Sequence, residues 1–235
     1  MNVALILAGG ADPKFKMRVP KQFVNVDNRP VIVYTMQVFQ KHPEIDEIAV
    51  VCLAGWQEMV KAYAKQFDIS KLKKIVAGGG SGQESSWQGV KALSESHSED
   101  DIIILHDSIR PLVTNEIISD CIRVCGSKGM GVAAVPSKET IMKSVDGKEG
   151  IENISRFSVM RIQTPQAFFL GNLVRIHEMA QQKGIRNEWE MSSVVAKLGR
   201  KVYFSQGADV NIKVSTIEDV EMFRILRGKE EERML

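Results

Sequence analysis

The chain has 235 residues, 44% of them hydrophobic and 26% charged, with a formal net charge of +2. That length suits one domain with room for an appendage and an ample core, and the composition is that of an ordinary globular protein. A charge so near neutral argues against a general nucleic-acid coat, and no run approaches the roughly 20 apolar residues that span a bilayer, so neither nucleic acid nor membrane is an expected partner.

In chain order, the five apolar residues over 3–7 are long enough for a buried strand and too short for a buried helix. They run into Ala8-Gly9-Gly10, followed by Lys14, Lys16, Arg18 and Lys21. Glycines let backbone N–H groups approach phosphate oxygens, and lysines neutralise the anion. Read alone, the stretch is either a phosphate cradle or a solvated basic loop. A helix is predicted over 31–41, with Pro30 suited to its first turn, then a strand over 48–53 and a helix over 57–67. A third strand over 74–77 meets Gly78-Gly79-Gly80-Ser81-Gly82-Gln83, with a helix over 84–93 behind it. The apolar run 102–105 predicts a strand buried on both faces, leading into His106-Asp107-Ser108-Ile109-Arg110-Pro111. A helix over 115–125 and a strand over 131–135 follow. Cys121 and Cys125 would share one face of that helix, and with Cys52 they are expected as buried, reduced thiols.

This alternation indicates a mainly parallel sheet covered on both faces. Ligands of such sheets gather beyond the carboxyl ends of the strands, where the loops after the first, third and fourth strands converge. From residue 137 the pattern changes: no helical period holds to residue 156, and Asp146-Gly147 marks a turn, which reads as an extended hairpin or arm. Gln163-Thr164-Pro165-Gln166 comes next. Helices are predicted over 171–183 and 190–198, a strand over 202–205, and a closing helix over 216–227 after Asn211-Ile212-Lys213-Val214. With Met1-Asn2-Val3 carrying no charged leader, the expected location is cytoplasmic.

Leu7-Ala8-Gly9-Gly10, the basic loop, Pro20-Lys21-Gln22, His106-Asp107-Ser108-Ile109-Arg110-Pro111, Gln163-Thr164-Pro165-Gln166 and Asn211-Ile212-Lys213, in that order and spacing, resemble the polyol-phosphate cytidylyltransferases. That family includes enzymes acting on D-ribitol 5-phosphate and on 2-C-methyl-D-erythritol 4-phosphate. Ser108 is closer to the ribitol-phosphate type; the methylerythritol-phosphate type tends to alanine there. The loop departs from the family pattern at Asp12, which stands where a second glycine is usual.

The resemblance implies a Rossmann-like, three-layer α/β nucleotidyltransferase fold over 1–235, a protruding β-arm over 137–157, and a homodimer formed through that arm. It implies transfer of CMP from CTP to a polyol phosphate, D-ribitol 5-phosphate being favoured, with Mg²⁺ on the triphosphate. Lys14, Lys21 and Lys213 match cations around the phosphates; Lys14 stands where arginine is usual. Ala8, Gly9, Gly10, Gly80, Gly82 and Ser85 match the nucleotide-binding loops, Gly82 replacing a frequent arginine. Asp107 and Arg110 match the polyol-binding pair, with Asp107 also the candidate Mg²⁺ ligand. Thr140 and Arg156 match arm residues that reach the partner subunit's phosphate substrate. Thr164 matches a further substrate contact, and Trp189 a threonine that helps hold the substrate phosphate; a partly buried packing residue is the other reading of Trp189. The chain lacks the Gly-x-Gly-x-x-Gly spacing, and the acid ending the second strand, of a dinucleotide oxidoreductase. A catalytically weakened nucleotide-binding relative is the remaining alternative.

Overall fold

The protein is described by a computed structural model over residues 1–10 and 19–234, with side chains through 228. Strand β1 (Asn2–Ala8) is followed by a single 3-10 turn (Lys21–Phe23) and a small hairpin, β2 (Asn25–Val26) and β3 (Arg29–Pro30). Asp27 and Asn28 both adopt positive φ, the geometry that a two-residue hairpin turn demands. Then come α1 (Val31–Lys41), β4 (Glu47–Cys52), α2 (Gln57–Gln66), β5 (Leu72–Ala77), α3 (Gly82–Ser94), β6 (Ile102–Asp107), α4 (Asn115–Lys128) and β7 (Met130–Pro136). The arm is the hairpin β8 (Ile141–Lys143) and β9 (Glu152–Ile154), with a 3-10 turn (Arg156–Ser158) behind it. The chain continues through β10 (Met160–Phe169), α5 (Leu170–Gln182), α6 (Met191–Lys197), β11 (Phe204–Gln206) and α7 (Ile217–Met234).

Seven strands form one sheet in the order β11-β7-β10-β6-β1-β4-β5. Every neighbouring pair is parallel except those of β10, which runs antiparallel to both β6 and β7. The two-residue period of β1 decides its packing. Ala4, Ile6 and Ala8 point into a core with Ile32, Met36 and Phe39 of α1 and Ile118 and Cys121 of α4. Val3 and Leu5 point the other way, against Val90 of α3, Leu173 and Ile176 of α5 and Val194 of α6. A third cluster docks α7, through Val220 and Phe223, on Val26, Tyr34 and Ile109. The expected three-layer α/β architecture is therefore present, and the three cysteines are buried thiols.

Two sequence expectations need correction, and one strand was not expected at all. The 160–169 stretch, which carries the Gln163-Thr164-Pro165-Gln166 motif, is a full ten-residue strand. Its polar residues and internal proline hide it, because the register with β7 shifts between Ile162 and Gln166 and proline is tolerated at such an irregularity. The strand expected over 202–205 is shorter and later, Phe204–Gln206, and the closing helix runs on to Met234.

Close packing makes a specific demand at Gly131, where a Cβ would lie 2.4 Å from the Cys121 carbonyl oxygen of α4. Gly126, exposed on α4, has nothing within 4 Å of its Cβ position. Gly131→Ala should therefore destabilise the fold by about 1–3 kcal/mol, whereas Gly126→Ala should stabilise it by up to about 1 kcal/mol, as measured by urea denaturation.

Two buried histidines add a pH dependence. Burial lowers His106 and His177 from 6.5 to about 4. Below pH 6.5 the unfolded chain takes up protons that the folded chain refuses, so stability present above that value is lost as pH falls towards 4. Between pH 7 and pH 5 the loss should be about 2 kcal/mol per histidine, and His177→Gln should remove roughly half of the slope in urea titrations.

Candidate active site

At the end of β1, the buried Gln22 donates from Nε2 to the Ala8 oxygen (2.7 Å) and more weakly to the Gly10 oxygen (3.4 Å). The next ring, Phe23, stacks on Trp56 with centroids 4.3 Å apart. Lys21 thus sits on a short turn whose two following residues are anchored in protein.

Beyond β5 the glycine loop is tied down by the helix it enters. Ser81 caps α3, its Oγ accepting from Glu84 N–H (3.1 Å), while the Glu84 carboxylate accepts from Gly80 N–H (2.8 Å). Ser85 Oγ accepts from Gly79 N–H (3.1 Å). The backbones at Gly9 and Gly78 pass so closely that a Cβ on either would lie within 3 Å of Ser85 Oγ. A side chain at either position would force the Ser85 hydroxyl, and with it the Gly79 hydrogen bond, to move.

At the end of β6 stands Asp107. Its Oδ2 accepts from Lys213 Nζ at 2.9 Å and from Arg110 Nε at 3.2 Å, and its N–H donates to Thr164 Oγ1 at 3.0 Å. Burial works against the Asp107 carboxylate, but the Lys213 ammonium and the Arg110 guanidinium outweigh it and hold the carboxyl below its usual range. The Arg110 guanidinium also donates to the Asn211 oxygen (2.8 Å), and Asn211 Nδ2 donates to Thr164 O (2.9 Å) and Gln163 Oε1 (3.2 Å). Glu190, the cap residue of α6, faces this cluster with Oε1 3.8 Å from Lys213 Nζ, and its Oε2 accepts from Gln166 Nε2 at 3.0 Å. Burial, then the Asp107 charge, pushes Glu190 up to about 7 against the pull of Lys213 and Arg110.

One cleft of about 110 Å³, open to solvent, gathers most of the sequence candidates. Ala8, Gly9, Gly10, Lys21, Gly82, Ser85, Asp107, Trp189 and Lys213 all line it. Thr164 lines the adjoining recess, which Gly82 and Trp189 also border. Arg110 is buried behind Asp107. Gly80 does not line the cleft, and its N–H is already taken by Glu84. Thr140 and Arg156 lie exposed on and beside the arm, away from this cleft's lining, with Arg156 stacked over Phe157 at 5.2 Å. Lys14 and Asp12 fall outside the described residues. Trp189 is 88% exposed, which overturns its reading as a partly buried packing residue.

Sequence reading missed Gln22, Asn211 and Gln163 as positioning groups, and Glu190 as a cleft acid. Gln22, Gln163 and Asn211 were visible as members of motifs, whereas Glu190 carried no pattern. Among the described residues no three acidic, histidine or cysteine side chains gather as a metal site, and no helix is long and apolar enough to cross a membrane.

Residues 2–226 match the family model described as IspD: 2-C-methyl-D-erythritol 4-phosphate cytidylyltransferase. A ribitol-5-phosphate cytidylyltransferase of Lacticaseibacillus paracasei is 37% identical over 98% of this chain and 100% of its own. A 2-C-methyl-D-erythritol 4-phosphate cytidylyltransferase of Clostridium botulinum is 31% identical over 93% and 94%. The fold is that of the 4-diphosphocytidyl-2C-methyl-D-erythritol synthase of Anaerococcus prevotii, with a TM-score of 0.82 at 24% identity over 97% and 98% of the two chains. The alternating sheet, the cleft at its strand ends and these matches agree: the chain belongs to the cytidylyltransferase family typified by 2-C-methyl-D-erythritol 4-phosphate cytidylyltransferase.

Proposed function

We propose that this chain joins CTP to D-ribitol 5-phosphate, forming a CDP-polyol and pyrophosphate. The observation that carries this reading is the convergence of Lys21, Lys213 and Asp107 with the glycine loops in one cleft. The near full-length likeness to a ribitol-5-phosphate cytidylyltransferase, together with Ser108 after Asp107, favours ribitol phosphate over methylerythritol phosphate as the acceptor.

A phosphate oxygen of the polyol phosphate attacks the α-phosphorus of CTP. The new P–O bond forms as the bond to the β-phosphate bridging oxygen breaks, and pyrophosphate carries away the electron pair. The nucleophile is already an anion at neutral pH, so the protein needs no strong general base. It must instead bring two anions together and hold the negative charge of the pentacoordinate state. Lys21 and Lys213 supply that charge. Asp107 accepts polyol hydroxyl protons while Arg110, braced on Asn211, fixes its carboxylate. The loops at Gly9–Gly10 and Gly78–Gly82 seat a small base. The Asp107 carboxylate suits Mg²⁺, which keeps water and phosphate oxygens as most of its ligands and would neutralise the triphosphate.

The arm leaves the sheet with exposed apolar side chains, among them Met142 (56%), Ile151 (61%) and Phe157 (90%). Such a surface suits burial against a second copy, which would bring Thr140 and Arg156 to the partner's cleft in a homodimer.

Pyrophosphate release should be seen with CTP and D-ribitol 5-phosphate, far more slowly with ATP or GTP, and Lys21→Ala should lower kcat/KM about a hundredfold or more. Comparable rates with a purine triphosphate would sink the pyrimidine assignment. Mixing inactive Arg156→Ala and Lys21→Ala subunits should regenerate activity in hybrid dimers. If mixtures never exceed the weaker parent, the arm does not complete a neighbour's site.

A further inference from the structure

Hydroxyl-rich chains are recognised by groups that accept O–H protons, and a buried carboxylate is a strong acceptor. Asp107 gives one: its Oδ2 is committed to Lys213 and Arg110. A second carboxylate lies near the same ammonium. Glu190 lies on the segment entering α6, with Oε2 fixed by Gln166 and Oε1 at 3.8 Å from Lys213 Nζ, beyond hydrogen-bond distance. The bracing is rigid, because Gln166 is itself buried and its Oε1 accepts from Ser192 N–H at 2.9 Å. A carboxylate holding one short hydrogen bond leaves acceptor capacity that a ligand can fill. Glu190 borders the recess that Thr164, Gly82 and Trp189 line, and this recess adjoins the cleft of Asp107 and Lys213.

We propose that Glu190 is a specificity-determining residue which, sharing Lys213 with Asp107 as a neighbour, accepts hydroxyl protons from a polyol chain and selects acceptors with the longer hydroxylated chain. The inference rests on the polyol-phosphate reading of the cleft. The Lys213 ammonium, 2.9 Å from Asp107 Oδ2 and 3.8 Å from Glu190 Oε1, is a donor for the same hydroxyls. A polyol one carbinol shorter leaves one of these groups unmatched, and a site built around a hydroxyl discriminates strongly against its absence.

Glu190→Gln makes the test, since its amide oxygen can keep the Gln166 bond while an NH₂ replaces the acceptor facing the cleft. Initial rates with saturating CTP are measured for D-ribitol 5-phosphate and for D-erythritol 4-phosphate, one carbinol shorter. The kcat/KM ratio between them should favour the five-carbon substrate in the wild type. At about pH 8, above the value of about 7 to which Glu190 is pushed, it should fall about ten- to hundredfold in Glu190→Gln, mostly through KM, the range expected for one or two hydrogen bonds to a charged acceptor. Calorimetric affinity for CTP should change by less than about threefold, which excludes collapse of the nucleotide site. Equal losses on both substrates would overturn the inference and leave the polyol reading standing. If the wild type releases no pyrophosphate with any polyol phosphate, calorimetry of D-ribitol 5-phosphate binding decides the inference separately. Binding weakened at least tenfold by the substitution sustains Glu190 while the transfer reading falls; absent or unchanged binding overturns it.

Discussion

The cleft depends on Asn211. Its side chain, fully buried, donates to Thr164 O and Gln163 Oε1, and its backbone oxygen receives Arg110. Three stretches far apart in sequence meet there: the turn after β6, the irregular part of β10 and the segment before α7. Lys213 stands two residues further on, so its reach to Asp107 is fixed by this knot rather than by a long flexible loop. Gln163 closes the knot from the other side, donating to Ala208 O at 2.8 Å and accepting from Ala208 N–H at 3.2 Å. Removing one partner from a buried polar network exposes the full desolvation cost of the others, which ties the geometry of the site to the stability of the fold.

The layers of the fold were legible because the strand and helix periods are strong. Residues 3–7 alternate their faces between two cores, and the helices over 31–41 and 115–125 begin and pack where their apolar spacing puts them. The start of α3 was read two residues late, although Ser81 and Glu84 have capping-box spacing; the structure uses the Ser81 half of it, while the Glu84 carboxylate takes the Gly80 N–H one residue before the cap. β10 escaped notice for a different reason. Gln163, Thr164 and Gln166 are buried polar residues whose partners come from distant segments, and no local pattern reveals such partners. The small hairpin at Asn25–Pro30 escaped for want of a glycine; its turn is Asp27-Asn28 instead.

The site was legible only as motifs. Asp107, Arg110 and Lys213 were visible one by one, but their mutual ion pairs depend on β10 lying antiparallel beside β6, which was not read. Glu190 had no motif at all. Its importance arises from burial beside Asp107 and Lys213, a property of the folded chain, and the same burial pushes its carboxyl up to about 7. Acids in a cleft for anions look contradictory at first. Here they hold the cations in place before substrate arrives, because a lone ammonium in a half-buried cleft would turn to solvent.

The two departures at Gly82 and Trp189 belong together. A Cβ at residue 82 would lie 3.7 Å from the Trp189 carbonyl oxygen and 3.9 Å from that of Glu188, so the α3 start and the segment before α6 are in packing contact. That contact is ordinary for a methyl group, but a long side chain there would have to leave along the cleft that Trp189 also lines. With glycine at 82 the space beside the loop stays open, and the indole at 189, carried on the opposing segment and largely exposed, is the large group at that edge. The Gln83 side chain keeps the two segments in register by donating to Ile185 O (3.0 Å) and accepting from Glu188 N–H (3.2 Å). The bulky group at this edge of the cleft therefore sits on the α6 side, while the backbone frame between the two segments is pinned. Glu190, on the same pinned segment, is held near Lys213 by that frame.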